Sequence, residues 1–364
     1  MPVPSSGIIS IQDLIDEFGG TGAVKLSDYY SGGSLVPAGT TNVDGDVIPT
    51  SGQVSLSDYY GATAVYIPDA SGGSESTINS GGKTYRVHVF TTSAVFTVNS
   101  SYLLDVEYLV IAGGGGGGAD TTGGSWNFGG ASGGGAGGYR SSVVGEASGG
   151  GSSAETRITL GNGPHVITVG AGGLGTEYSG TQHGTNGSSS SIGSTISTVG
   201  GGNGGSSAGT YGYGGANSPL YLSINSDAYQ GRDGGSGGSA MRTETTYIGS
   251  GTPDEGFDGS TSITNENGGS YGAQGGGASA VGQRGQWGNP ESENGISGSI
   301  TGTSTHRGRG GAGCTAVFYG NTERARRPST GDGGQGGNVT SATLADFGTG
   351  YTGLDGIVII RYEI

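Results

Sequence analysis

The chain has 364 residues, of which 87 are glycine and only 31% are hydrophobic, so an ordinary apolar core cannot fill its whole length. A net charge of −15, from 14 basic and 29 acidic side chains, argues against binding to nucleic-acid backbones or anionic membrane surfaces. The single cysteine, Cys314, excludes an intrachain disulfide and a thiolate metal cluster, and runs such as Gly113 to Gly118 exclude the strict period of collagen.

The opening Met-Pro-Val-Pro-Ser-Ser-Gly lacks the basic and apolar segments of a secretory signal, and no apolar run approaches the roughly 18 residues of a membrane span. Residues 1–62 hold a short internal repeat. Val3-Pro-Ser-Ser-Gly-Ile-Ile-Ser-Ile-Gln-Asp13 is echoed by Ile48-Pro-Thr-Ser-Gly-Gln-Val-Ser-Leu-Ser-Asp58, and Ala23 to Tyr30 repeats the second half. Each copy is too small to bury a core by itself. Pro-Ser/Thr-Ser-Gly is turn chemistry, and Ser-x-Asp caps a turn of helix. Ile11, Leu14, Ile15 and Phe18 lie at helical spacing and predict a short helix over 10–18. The segment reads as a docking element, with Tyr29, Tyr30, Asp58, Tyr59 and Tyr60 as its anchors.

Residues 63–112 have the composition of a small β-domain. Strand-forming runs at 65–67, 84–91, 94–99 and 106–112 are separated by glycine, serine and asparagine turns, which predicts a small antiparallel sheet. His88 falls within Arg86 to Phe90 and is expected on the polar face of its strand. The run Asp105 to Ala112 ends in six glycines, and Ile357 to Tyr362 mirrors it at the far end of the chain. Pairing of these two runs would close the β-domain with residues 356–364 and make 113–355 one glycine-rich insertion.

Within that insertion, clusters of glycine alternate with polar intervals that carry bulky residues, and a strand is expected at 166–169. Disorder is the plain reading of such a composition, but the whole chain carries nineteen tyrosines, seven phenylalanines and two tryptophans, and many of them are scattered through this part, which speaks against a pure linker. Polyglycine helices offer an ordered alternative. An extended helix of three residues per turn has no internal hydrogen bonds, so its amides point sideways and bond to neighbouring helices wherever side chains are absent. The predicted fold is therefore mainly β, with a small antiparallel β-domain carrying a glycine-rich domain of packed polyglycine-type helices and loops, and little α-helix.

Tyr108-Leu-Val-Ile-Ala before six glycines, Gly-Gly-Ala-Gly-Gly-Tyr-Arg140, Ile167-Thr-Val-Gly-Ala-Gly-Gly, Asn186-Gly-Ser-Ser-Ser-Ser-Ile-Gly193 and Asp355-Gly-Ile-Val-Ile-Ile-Arg-Tyr362 form an ordered series. This series resembles the glycine-rich domain of bacteriophage tail fibre and adhesin proteins, and the N-terminal repeats resemble segments of marine, especially cyanobacterial, phage structural proteins. The resemblance implies a virion protein whose interglycine loops bind a host surface glycan or outer-membrane protein. It also implies contacts with tail, fibre or baseplate proteins and self-association, a trimer being one form.

Patterns that carry chemistry are sparse. None of the Gly-x-Gly-x-x-Gly spacings has the strand, helix and downstream acid of a nucleotide site. His88, His165, His183 and His306 lie far apart, without a nucleophile elbow or metal-type cluster. Asp254-Glu255-Gly-Phe-Asp258 lacks the ligand spacing of a known calcium loop and reads as an acidic turn. No catalytic residue, metal or cofactor is expected. The basic groups His306-Arg307-Gly-Arg309 and Arg324-Ala-Arg326-Arg327 stand out against the acidic background as a contact surface for anionic sugars. Tyr221, Tyr229, Tyr247 and Trp287, set among serine, asparagine and glycine, have the mixture found in binding loops. Alternatives are a non-catalytic accessory of capsid, neck or baseplate, and a surface-polysaccharide depolymerase, whose two carboxylates no spacing can exclude.

Overall fold

The computed structural model describes residues 3–33, 35–37, 39–62, 69–99, 103–119, 131–176, 184–206, 230–241, 247–264, 270–285, 294–313, 329–335 and 350–364. It divides into two compact units, Met1–Asp69 and Ala70–Ile364.

In the first unit the repeats fold into similar turns. Helix α1 (Ile11–Phe18) and two 3₁₀ turns, Leu26–Tyr29 and Leu56–Tyr59, each begin with a capping box in which Asp13, Asp28 or Asp58 reaches back to the preceding N–H. The residue after each aspartate, Leu14, Tyr29 or Tyr59, is fully buried. Together with Val3, Ile9, Phe18, Val36 and Ile48 they make one small core that no single copy could form. The Tyr29 hydroxyl donates to Gly19 O and the Tyr59 hydroxyl to Tyr29 O, so both phenols are satisfied inside the unit. The expectation that Tyr29 and Tyr59 are surface anchors is corrected. Burial of a ring this large outweighs keeping its one hydroxyl in water once a carbonyl accepts from it. Tyr30 and Tyr60 are half-buried and donate to Gly52 O and Gly7 O, the glycines of the turn motifs in other copies.

The second unit is built on a β-sandwich. Its strands in chain order are β1 (Ala70–Ser71), β2 (Ser74–Ser80), β3 (Lys83–Phe90), β4 (Ala94–Val98), β5 (Leu104–Ile111), β6 (Tyr139–Ser141), β7 (Ile158–Leu160), β8 (Gly163–Thr168), β9 (Ser190–Ile192), β10 (Ile196–Thr198), β11 (Ile263–Thr264), β12 (Ser270–Tyr271), β13 (Ile296–Gly298), β14 (Thr305–Arg307) and β15 (Ile357–Glu363). One sheet has the order β2-β3-β15-β5-β6, with β7 also pairing β5, and the other the order β1-β4-β8-β9-β10. The expected pairing of the two apolar runs is present: Ile357 lies opposite Ile111 and Arg361 opposite Glu107, antiparallel, with β3 on the other side of β15. Residues 65–67 lie outside the described residues.

Strands β5 and β15 are buried on both faces, which is why they read as continuous apolar runs. Val106, Tyr108, Val110, Val358, Ile360 and Tyr362 face the second sheet, where Phe96, Val98, Ile167 and Ile192 meet them. Leu109, Ile111, Ile357 and Ile359 face the other way, onto Tyr139, Val143, Ala278, Ile296 and Ile300. Strand β4 belongs to the second sheet rather than to the first, and β8, β9 and β10 of that sheet come from the glycine-rich region. The β-domain therefore does not end at residue 112.

His88 is likewise a correction. It is fully buried, with Nδ1 2.8 Å from Gly72 O and its ring 5.6 Å from that of Tyr362, stacked at 21°. A polar residue within an alternating strand signals a polar face only if that face meets water.

Above the sandwich the glycine segments form a lattice. The N–H groups of Gly113 and Gly116 donate to Ser188 and Thr185, those of Gly114 and Gly117 to Leu354 and Tyr351, and those of Gly115 and Gly118 to Gly135 and Ser132. Donor direction thus repeats every third residue, as a helix of three residues per turn requires. Partner numbers fall as donor numbers rise, so these three neighbours run antiparallel. Three more run parallel: Gly201 and Gly204 donate to the carbonyls of Gly113 and Gly116, Gly173 and Thr176 to those of Gly114 and Gly117, and Gly334 to that of Gly115. Segment 112–119 is thereby enclosed on all sides by main chain.

Segment 131–138 repeats the scheme, with Ser132, Gly135 and Gly138 donating to Gly205, Gly202 and Val199, and Gly133 and Ala136 to Ala273 and Gly276. A Cβ placed on any glycine from Gly113 to Gly118 would lie between 1.8 and 2.2 Å from a neighbour's carbonyl oxygen. Glycine is the packing residue here, as leucine or valine is in the sandwich. The polyglycine-type packing expected from the sequence is what these bonds describe.

Candidate functional site

The lattice has two ends. At one, segments 112–119, 131–138, 170–176, 184–189, 199–206 and 350–356 run directly into strands of the sandwich. The other is where the described chain leaves the lattice. Near that end Gly118 N–H donates to Ser132 O, Thr176 N–H to Gly117 O, and Gly350 N–H to Thr176 O. Ala119 N–H donates to Ser206 Oγ, and the Ser132 hydroxyl to Ala240 O. Ala119, Thr176, Ser206, Met241, Thr264, Gly285, Gly313 and Gln335, the last described residues before each break, belong to this end by these and neighbouring bonds. Ala131, Gly184, Gln230, Tyr247, Ser270 and Gly350 return there, whereas Asn294 rejoins partway down beside Gly275 and Ser329 rejoins at the sandwich end beside Asp332. The shared exit follows from the packing: a segment that climbs from the sandwich ends at the far end of the lattice.

This placement bears on the residues singled out for receptor contact. Tyr221, Tyr229, Trp287, Arg324, Arg326 and Arg327 lie outside the described residues; the stretches that hold the first three leave the lattice at this end, whereas the arginines shortly precede Ser329, which rejoins at the sandwich end. Tyr247 is described and half-buried where the chain re-enters, and its carbonyl accepts from Gly231 N–H.

The other basic residues are anchored in the body instead. Arg307 sits in β14 opposite Ile296 and is buried. Its guanidinium lies in the field of Tyr139 and Glu146, and desolvation holds its pKa below the usual arginine range. Glu146 accepts from the Ser299 N–H and hydroxyl, each at 2.6 Å. Arg309 N–H donates to Asp332 Oδ1 at 2.9 Å. Arg307 is therefore an interior cation, and the expectation that it shares a surface with the 324–327 group is corrected for this residue.

The acidic turn is also structural. Asp254 takes the left-handed backbone at φ 63° and accepts from the Ser152 hydroxyl at 2.6 Å. Glu255 is buried, its Oε2 accepting from Val199 N–H at 2.8 Å, and burial raises its pKa against the opposing pull of that hydrogen bond and of Arg140. Asp258 Oδ1 accepts from Gly251 N–H at 2.8 Å.

These carboxylates reveal a role that sequence reasoning missed. At some positions a side chain of the adjoining segment, rather than its carbonyl, takes the N–H: Asp355 for Gly172, Thr185 for Leu174, Asn186 for Asn203 and Asp233 for Ser250. The available signal is an acceptor placed directly before glycine, as in Asp233-Gly234, Asp258-Gly259, Asp332-Gly333, Asp355-Gly356 and Asn186-Gly187.

Among the described residues no group of three or more histidine, cysteine, aspartate or glutamate side chains could hold a metal ion, and no helix is long and apolar enough to cross a membrane. What the described residues offer is a hydrogen-bonded glycine lattice that the chain leaves repeatedly at one end. The family model of a glycine-rich domain matches residues 90–363. No curated protein matches the chain.

Proposed function

The chain belongs to the glycine-rich domain family, and from that premise we propose that it is a bacteriophage virion protein, a tail fibre or tail-associated adhesin, that holds host-binding segments on a glycine lattice. The observation that carries the reading is that the described chain leaves the lattice before 207–229, 286–293 and 314–328 at the end away from the sandwich, although 314–328 rejoins at the sandwich end. A receptor-binding protein needs variable, residue-rich segments held clear of the particle on a support that does not bend. Stretches 207–229, 286–293 and 314–328 supply tyrosine, tryptophan and arginine in a setting otherwise poor in large side chains. Arginine pairs match the planar acceptors of acidic surface sugars, and aromatic rings stack on sugar faces.

Residues 1–62 form the virion-docking element in this reading. Tyr30 and Tyr60, half-buried, and Asp58 are its remaining candidate contacts. The partners are other virion proteins and a host surface glycan or outer-membrane protein, with no nucleic acid, no inserted membrane span, no cofactor and no catalytic residue in the role.

Replacing Arg324, Arg326 and Arg327 together with alanine is expected to reduce adsorption of particles to host cells at least about tenfold, which is the loss of roughly 1.4 kcal/mol of binding, while particle assembly is unchanged. Adsorption at the original level would favour a non-catalytic accessory of capsid, neck or baseplate. Electron microscopy of labelled particles locates the protein in either case.

A further inference from the structure

The edges of the sandwich are closed in different ways. On β6, the outward N–H groups of Tyr139 and Ser141 donate to Glu255 O and Ser148 Oγ, and Ser141 O accepts from Glu155 N–H. On β10, Ser197 O accepts from Arg140 Nη1. Strand β1 is only two residues long, and Ala70 N–H donates to the Tyr362 hydroxyl. Side chains or neighbouring backbone thus seal these edges, as natural sheets do to avoid unintended pairing.

Strand β2 is the longest edge left open among the described residues. It has seven residues, Ser-Glu-Ser-Thr-Ile-Asn-Ser, exposed or half-buried throughout, with no lysine, proline or bulge. Gly81 and Gly82, with φ of 58° and 79°, make the two-residue turn into β3 that suits a tight hairpin. The turn fixes which backbone groups face outward. Ser80 and Lys83 flank it and bond to each other, so every second residue before Ser80, namely Ile78, Ser76 and Ser74, also bonds inward to β3. Asn79, Thr77 and Glu75 turn their N–H and C=O groups outward, and no partner for these groups is found among the described residues.

We infer that the outer edge of β2 is an interface on which a second copy of this chain pairs, antiparallel and two-fold about Thr77. In that register Thr77 meets Thr77 of the second copy, and Glu75 meets Asn79. Every outward N–H then finds an outward C=O. The charges decide where a second copy can approach and in which orientation. Each chain carries −15 and would repel another across most of its surface, but β2 has one acid, and the two-fold register sets that acid opposite a neutral amide. A parallel register would set Glu75 against Glu75. The Glu75 carboxylate is also drawn back toward its own chain, accepting from Gly72 N–H at 3.3 Å with Arg86 3.9 Å away.

Sedimentation velocity of the full chain over a wide concentration range tests the inference. The unaltered chain is expected to shift from monomer toward dimer. Thr77→Pro, which removes an N–H that β3 does not use, is expected to weaken association at least about tenfold with the circular dichroism spectrum unchanged. Should Thr77→Pro fail to fold, Thr77→Cys in a Cys314→Ser background gives a second route: oxidation yields covalent dimers, whereas Ser57→Cys, also exposed, does not. A chain that stays monomeric at every concentration overturns the inference. So does association unaffected by Thr77→Pro, or equal cross-linking at both cysteine positions.

Discussion

Gly116→Ala is expected to unfold the glycine lattice rather than weaken it slightly. The added Cβ would stand 1.8 Å from the carbonyl oxygen of Leu174, an atom of main chain and not the tip of a movable side chain. Ordinary overpacking costs about 1–3 kcal/mol because side chains and backbone shift a little to make room. Here the neighbour is fixed by its own bonds, and Gly116 itself donates to Thr185 O and accepts from Gly204 N–H. Separating these segments gives up several hydrogen bonds of about 1 kcal/mol each in addition to the steric cost. The total, at least about 4 kcal/mol, is a large part of the roughly 5–15 kcal/mol that ordinarily holds a domain together. Gly145→Ala serves as the comparison: its φ is 86°, no atom lies within 4 Å of the added methyl, and a cost of only about 1 kcal/mol is expected. Denaturant unfolding of the two variants side by side reads the difference.

Arg361→Met should cost about 3–5 kcal/mol, through charge rather than shape. Arg361 and Glu107 are opposite each other on β15 and β5, both buried, with Nε 2.6 Å from Oε2. Arg361 also donates to Ile300 O and lies over the Tyr85 ring at 4.6 Å. Arg157 binds the other carboxylate oxygen from a more exposed position. Methionine fills much of the same volume but leaves Glu107 buried with one cation, itself about a third exposed. The double variant Arg361→Met with Glu107→Leu is expected to recover most of the loss, since removing both charges removes the stranded one. Chemical denaturation of the single and double variants measures this coupling.

Much of the architecture was legible because it follows from local chemistry. The apolar runs at Tyr108–Ala112 and Ile357–Tyr362 are long, β-branched and free of charges over most of their length, which marks strands buried on both faces. Ser10 and the spacing of Leu14 and Phe18 specify α1. The six consecutive glycines marked the first lattice segment, since helices without side chains approach closely enough for their sideways amides to bond to one another.

What escaped the sequence is long-range. Strand β2 is Ser-Glu-Ser-Thr-Ile-Asn-Ser, whose composition matches a loop, and only pairing to β3 through the Gly81-Gly82 turn makes it a strand. His88 looks like a surface residue until the second sheet is placed over it, and that sheet is assembled from β1, β4 and strands beyond residue 160. Tyr29 and Tyr59 resemble exposed anchors because a repeat viewed alone has nothing to bury them. The acceptors before glycine, Asp233, Asp258 and Asp355, acquire their role only once the neighbouring segments are in position. Apart from β2, whose partner follows a two-residue turn, and Asp258, seven residues from Gly251, the deciding partner is distant in sequence or comes from another copy of a repeat.

Native-state hydrogen exchange on the full chain tests most directly whether the glycine-rich region is a packed, hydrogen-bonded solid that can hold its connecting segments at one end. The lattice predicts that the amides of Gly113 to Gly118 exchange as slowly as those of Val358 to Ile360 in the sandwich. Exchange of those glycines at the rate of an exposed linker, with Val358 to Ile360 still protected, would contradict it.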